Sequence, residues 1–191
     1  MPRKPDPTLK PAIIEKVTQH LRETRIEDVS VRSLGRVLGT SAYPIVYHFG
    51  TRDALIDAVV EHLADTADVC PLDPTTDRDG LRAWFTTRFG GLDDPDRALA
   101  ARLTFELGSV EALAPGDREH RSHRALVDAV AAWCVEHGRC AADADRAAQA
   151  AVLAARGTQW GRIVDREHVD VHAALCAIAD ALSADTRVLT G

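Results

Sequence analysis

The sequence predicts an all-α protein with a small basic N-terminal head and a larger acidic body, about nine helices in total. Two observations predict it. Apolar residues recur at three- and four-residue spacing along almost the whole chain, and no stretch shows the two-residue alternation of a half-buried strand. The charge also divides at Arg52. Residues 1–52 hold nine Lys+Arg against five Asp+Glu, a net +4, whereas residues 53–191 hold fourteen against twenty-four, a net -10. All three lysines, Lys4, Lys10 and Lys16, fall in the head. A basic unit of this size is what a polyanion-binding surface requires.

Each helix has a local reason. Thr8 can cap the first, with Pro11 inside its first turn and Ile13, Ile14, Val17 and Leu21 as its apolar stripe. Ser30 and Ser41 are cap candidates for two short helices, about residues 31–38 and 42–47. Thr51 can cap a long fourth helix striped by Leu55, Ile56, Val59, Val60 and Leu63, and the segment with Pro71 and Pro74 ends it. A fifth helix spans about 81–89 and closes at Gly90-Gly91. Asp94-Pro95 opens the sixth, with Asp as cap and Pro at the first helical position. Gly116 and Gly138 bracket a seventh containing residues 125–136, and two more follow at about 143–164 and 167–183.

Several function classes fall away. No stretch approaches the ~18 uninterrupted apolar residues of a membrane span, and the N-terminal segment lacks the apolar core of a secretory signal, so a cytoplasmic protein is expected. Cys70, Cys134, Cys140 and Cys176 form no C-x-x-C and read as reduced, mostly buried thiols. No Gly-rich phosphate loop, nucleophile elbow or H-E-x-x-H is present, so no enzyme is expected. His168 and His172, near Glu167 and Asp170, share a helical spacing, as do His120 and His123. Neither pair has a convincing third ligand, and neither a metal nor another cofactor is expected.

The most informative segment is V-R-S-L-G-R-V-L-G-T-S-A-Y-P-I-V-Y-H-F, Val31 to Phe49. Two short helices crossing at a tight turn need a small residue at the crossing, a glycine in the turn and buried apolar residues at fixed offsets. Gly35, Gly39, Leu34, Leu38 and Ile45 supply these at helix-turn-helix spacing. A plain structural hairpin has the same Leu-Gly pattern, and the flanking residues decide between the two. The run I-E-D-V-S-V-R-S-L-G-R-V-L-G-T-S followed by Y-H-F-G-T-R-D-A-L, Ile26 to Leu55, resembles the TetR family of bacterial transcription regulators. In that family a three-helix DNA-binding head ends in a Tyr/His/Phe cluster and an [ST]-[KR]-[DE]-x-L start to the fourth helix. One departure stands out: Val46 occupies the place of a DNA-contacting tyrosine of many members, and Tyr47 follows it. Tyr47 then either reaches phosphate from a different angle or packs under the head.

The resemblance implies a DNA-binding domain over residues 1–52, a ligand-binding and dimerisation domain over 53–191, and a homodimer on a pseudo-palindromic double-stranded DNA operator. It implies a repressor released by a small-molecule effector; the alternative is a helical ligand-binding or scaffold protein whose head no longer binds DNA. Arg32 matches a position that reaches phosphate or a base edge through its planar fork. Ser41, Ala42, Tyr43 and Pro44 open the recognition helix, and Tyr43 and Pro44 offer apolar surface suited to thymine methyls. Thr51 and Arg52 sit at a helix N-terminus that can hold a phosphate oxygen, and His48 can donate to phosphate. Arg3 and Lys4 lie on a Pro-rich arm suited to the minor groove.

In the body, the aromatic residues Trp84, Phe85, Phe89, Phe105, Trp133 and Trp160 read either as plain core or, following the family, as the lining of an effector cavity. His62, Arg88, Arg102, Glu106, Arg156 and Gln159 are the polar candidates for orienting a ligand, although Arg102 and Glu106, four apart, can simply pair. Ala147, Ala148, Ala151 and Ala155 form a small-residue face, and Val171, Leu175, Ile178 and Leu182 form a heptad-like stripe. Together they are expected to pack against a twin as a four-helix bundle.

Overall fold

The computed structural model describes residues 8–39, 41–67, 70–113 and 116–184; Arg3 and Lys4 lie outside them. The described residues contain nine α-helices and one 3-10 turn, with no strand. They divide into two compact units, Met1–Asp68 and Val69–Gly191.

The first unit holds α1 (Leu9–Leu21), a 3-10 turn (Ile26–Asp28), α2 (Val31–Val37), α3 (Tyr43–Phe49) and α4 (Arg52–Thr66). Its core is built from the predicted stripes: Ile13, Val17 and Leu21 meet Leu34, Ile45, Leu55, Ile56, Val59 and Leu63. Packing places α4 with this unit, against α1 and α3, whereas the charge divides one helix earlier. Ser30 and Ser33 close a capping box on α2: Ser33 N donates to Ser30 Oγ at 3.1 Å and Ser30 N to Ser33 Oγ at 2.8 Å. Gly39 takes φ 66° in the turn between α2 and α3, a conformation that strains any residue with a Cβ. The α3 helix starts at Tyr43, with Ala42 rather than Ser41 at the cap; Ser41 Oγ instead accepts from Tyr43 N at 3.3 Å. Thr51 caps α4 as predicted, accepting from Ala54 N at 3.1 Å.

The second unit holds α5 (Arg78–Phe89), α6 (Pro95–Glu111), α7 (Arg118–Glu136), α8 (Ala141–Val164) and α9 (Val171–Ala184). Here α7 packs along α8, and α9 packs on both α5 and α8. The helix α5 begins three residues before the Leu81 stripe because Asp77 caps it, accepting from Gly80 N at 2.8 Å. Asp94 caps α6 as expected. The last helix begins at Val171 rather than Glu167, since Asp170 Oδ1 accepts from Ala173 N at 2.9 Å and so marks the cap. Asp180 on α9 ties down α5: Arg82 Nη2 donates to its Oδ2 at 2.7 Å and Arg78 Nε to its Oδ1 at 3.2 Å. The Arg82 hydrogen bond, ahead of Arg78, holds the Asp180 carboxyl down at about 2. Of the four thiols only Cys134 is buried; Cys70 and Cys140 are exposed, contrary to the expectation of mostly buried cysteines. Among the described residues no helix is long and apolar enough to cross a membrane, and no group of three or more His, Cys, Asp or Glu is placed to hold a metal.

Candidate nucleic-acid interface and effector site

The rotation of α3 follows from one residue. Ile45 is fully buried, so at 100° per residue the side chains two before it and one or two after it point away from the core. These are Tyr43, 69% exposed, Val46, 50%, and Tyr47, 58%. Tyr43 and Tyr47, one turn apart, stack with ring centroids 5.9 Å apart, and His48 meets the Tyr47 ring edge-on at 5.0 Å. The result is an exposed aromatic ridge along a short helix. Tyr47 therefore does not pack under the head. Ser41 is exposed and Ala42 and Pro44 half-buried at the start of the ridge; Arg32 and Arg36 are exposed on α2. Lys10 sits over the Phe49 ring at 5.5 Å.

Arg52 departs from the expected phosphate role. Its Nε donates to Val29 O at 2.6 Å, another nitrogen donates to Ile26 O, and Nη1 meets Asp53 Oδ1 at 3.0 Å. Its fork is thus occupied by two main-chain carbonyls that precede α2, and the residue acts as an internal clamp that positions the helix-turn-helix. A carbonyl pair and a phosphate ask for the same planar donors, so the residue type alone does not separate the two roles.

In the body the six aromatic residues do not surround one space. Phe85, Phe89 and Trp133 are buried in the core, with Phe85 and Phe89 stacked at 5.7 Å and Trp84 edge-on to Phe89 at 6.0 Å. The Trp133 indole donates to Thr76 O at 2.8 Å and stays fixed there. Phe105 and Trp160 form a separate pair at 5.4 Å, with Trp160 52% exposed. His62 lies on α4, in the first unit.

The polar candidates also separate. Arg102 Nε lies 3.3 Å from Glu106 Oε1, the mutual pairing that their spacing allows. Gln159 and Arg156 do come together with one another. Gln159 is buried and donates to Phe89 O at 3.0 Å while its Oε1 accepts from Arg156 Nη1 at 2.9 Å. The Arg156 guanidinium stands 5.5 Å from the centroid of the Phe89 ring. Burial first, then the neighbouring Arg88 charge, pushes the Arg156 guanidinium down to about 10. Burial and Arg97 lower Arg88 in the same direction. Two further groups, both on α7, are shifted. Glu119 is raised by burial and pairs with Arg118 at 3.2 Å; His123 is lowered by burial, then by Arg156.

A cleft of about 410 Å³ lies elsewhere in this unit, where Thr86, Gly90 and Leu92 face Arg162, Val171 and Leu175. Arg162 reaches Asp93 at 2.8 Å on its rim.

The association face needs correction. Ala148, Ala155 and Leu175 are fully buried, and Ala151 and Leu182 nearly so, within the unit's own core; Ala147, Val171 and Ile178 are half-buried against it. The small side chains let α8 approach its neighbours inside one chain. The exposed face of α8 is instead Leu153, Trp160 and Val164, at 60%, 52% and 61% exposure, with Ala150, Ala154 and Gly157 also exposed along it. On α9 it is Ala173, Ala177 and Ala181.

The chain thus combines a helix-turn-helix in a four-helix unit with a unit of five further helices. No family model and no curated protein matches the sequence. Solved structures do match, and they define the fold as that of TetR-family transcriptional regulators. A Rhodococcus sp. protein assigned to that family is 19% identical with a TM-score of 0.70, over 92% of this chain and 98% of its own. SmeT, the repressor of the Stenotrophomonas maltophilia multidrug efflux pump SmeDEF, is 16% identical with a TM-score of 0.75, over 92% and 89%. A TetR variant from Acinetobacter baumannii AYE in complex with minocycline is 20% identical with a TM-score of 0.57, over 95% and 96%.

Proposed function

We propose that the protein is a TetR-family transcriptional regulator, a cytoplasmic homodimer that represses by binding a pseudo-palindromic DNA site and is released by a small-molecule effector. The observation that carries this reading is the exposed Tyr43–Tyr47 ridge on a helix-turn-helix whose interior is fully packed. Large aromatic side chains left in water on one short helix have no role in the fold of their own unit. Laid in a major groove, with the N-terminal end of α3 toward the bases, Tyr43 and Pro44 meet thymine methyls, and Ser41 offers a hydroxyl to base edge or phosphate. Arg32, Tyr47, His48 and the α4 N-terminus at Thr51 serve the phosphates on either side.

The exposed apolar stripe of α8, with the alanine face of α9, supports association with a second copy, which sets two recognition helices on one duplex. Among the similar structures, SmeT is a repressor and the TetR variant holds minocycline, which supports the repressor and effector parts of the reading. Release follows from linkage: an effector that prefers a dimer conformation unfit for DNA lowers DNA affinity, and DNA lowers effector affinity by the same factor. The test is a mobility shift with the DNA upstream of the protein's own gene, titrated with salt. Wild type gives a shift that weakens steeply with salt. A shift that Tyr43→Ala leaves unchanged in affinity and in sequence preference refutes the reading.

A further inference from the structure

The helix α3, Tyr-Pro-Ile-Val-Tyr-His-Phe, contains no Arg, Lys, Asn, Gln, Asp or Glu. Those are the side chains that read base edges by hydrogen bonds: Arg or Lys on guanine, Asn or Gln on adenine, Asp or Glu on cytosine. The outward face of α3 is hydrocarbon and aromatic instead. With Ile45 fully buried, Val46 stands three residues after Tyr43 and next to Tyr47, and all three side chains are at least half exposed. Tyr43 and Tyr47 brace each other through their stacked rings. Val46, β-branched and held to one preferred rotamer on a helix, adds a stiff apolar tip beside that pair. The free cations lie on the neighbouring helix. Arg32 and Arg36 are exposed on α2, which packs on α3, and among the described residues their guanidinium groups make no hydrogen bond or ion pair. In a helix-turn-helix the first helix crosses the phosphate backbone while the second enters the groove, so these cations hold the duplex and leave base identity to α3.

We infer that Val46 is a specificity-determining residue that reads the 5-methyl group of a pyrimidine, and that α3 selects its half-site by methyl contact in place of a donor and acceptor code. The thymine methyl is the apolar group that a base pair presents in the major groove, and an isopropyl tip without polar atoms is its complement. Bringing the two together removes both from water; a base without the methyl leaves the tip against a gap. A 5-methylcytosine carries the same methyl at the same place, so the head recognises that base as well, and methylation of a cytosine facing Val46 strengthens binding. The inference rests on the proposed DNA-binding reading and adds to it the residue and the chemical group that decide the sequence.

Fluorescence anisotropy of the full chain on a duplex selected from random sequences tests it. Each thymine of the site is exchanged in turn, in both half-sites together, for deoxyuridine, or its pair with adenine for a pair of guanine with cytosine or with 5-methylcytosine. Deoxyuridine keeps the pairing with adenine and removes only the methyl. One buried methyl corresponds to about a fourfold change in affinity, so the double exchange is expected to weaken binding roughly tenfold at the position facing Val46. There 5-methylcytosine is expected to bind more tightly than cytosine by a similar factor. Val46→Ala changes an exposed side chain outside the core, and is expected to keep the Tm of wild type while removing the difference between thymine and deoxyuridine at that position. Equal binding of thymine and deoxyuridine at every position overturns the inference and leaves DNA binding in place. So does a methyl preference that Val46→Ala leaves intact throughout, or a 5-methylcytosine that binds no better than cytosine. A chain that binds no duplex overturns the DNA-binding reading and the inference with it.

Discussion

Replacing Arg52 by alanine removes a clamp rather than a DNA contact, and the two roles differ in magnitude and in place. Its guanidinium makes two hydrogen bonds to main-chain carbonyls, Val29 O and Ile26 O, directly before α2. Charge-assisted bonds contribute about 1.5–3 kcal/mol each when buried. The Arg52 side chain is 32% exposed, so water replaces part of that loss, and about 2 kcal/mol for the pair is a reasonable figure. That corresponds to a roughly thirtyfold increase in local opening of the 26–37 segment. Hydrogen exchange on the full-length protein without DNA reads it directly: amides of α2 and of the preceding turn should lose protection, while those of α7 and α8 keep theirs. Arg52→Lys keeps the charge but not the fork and should recover only a minor part. Normal protection in Arg52→Ala, together with a large loss of DNA affinity, would refute the clamp and restore a direct phosphate contact.

Other outcomes follow from the same geometry. Leu153→Glu places a charge on the exposed face of α8 and should give a folded monomer by light scattering. Leu175→Glu buries a carboxylate in the core at a cost of several kcal/mol and should unfold the body. Folded, monomeric Leu175→Glu would return the interface to the Val171–Leu182 stripe of α9. Arg32→Ala should weaken all DNA sequences alike and lower the salt slope by about one for each phosphate that is no longer neutralised, whereas Tyr43→Ala should change the preferred sequence; binding assays at several salt concentrations separate them. Asp180, lowered to about 2 from 3.8 by its arginine partners, contributes stability that is complete above 3.8 and lost as pH falls through about 2. Thermal melts should therefore show wild type above Asp180→Asn near neutral pH, with the gap closing across that window. A gap independent of pH would mean the carboxylate is not the stabilising species.

What the sequence revealed and what it hid divide along the range of the interactions. Caps and turns are decided within four residues, so Ser30, Thr51 and Asp94 were legible, as was Gly39 at the turn. Which way each helix of the body turns its apolar face was not. A stripe such as Val171, Leu175, Ile178 and Leu182 shows that a helix has an apolar face, but not whether that face meets its own chain or a twin, and here Leu175 is fully buried at home. The exposed stripe of α8, with large residues at Leu153, Trp160 and Val164, carries the same period at a different rotation. Arg52 is ambiguous in the sequence because a phosphate and a pair of carbonyls select the same side chain. Gln159 ties Arg156 on α8 to the main chain of Phe89 on α5 only through the packing of those helices, and no local signal announces that convergence. The aromatic residues were legible as a helical cluster, yet their division into a buried group and the Phe105–Trp160 pair is a tertiary outcome.

Selection of bound sequences from random DNA duplexes, followed by titration of the enriched site, tests the central claim most directly. The account predicts an enriched motif with two-fold symmetry, its half-sites about one helical turn apart, bound as one dimer and lost with Tyr43→Ala or with the monomeric Leu153→Glu. No enrichment, or an enriched motif without a dyad that Leu153→Glu still binds fully, would contradict it.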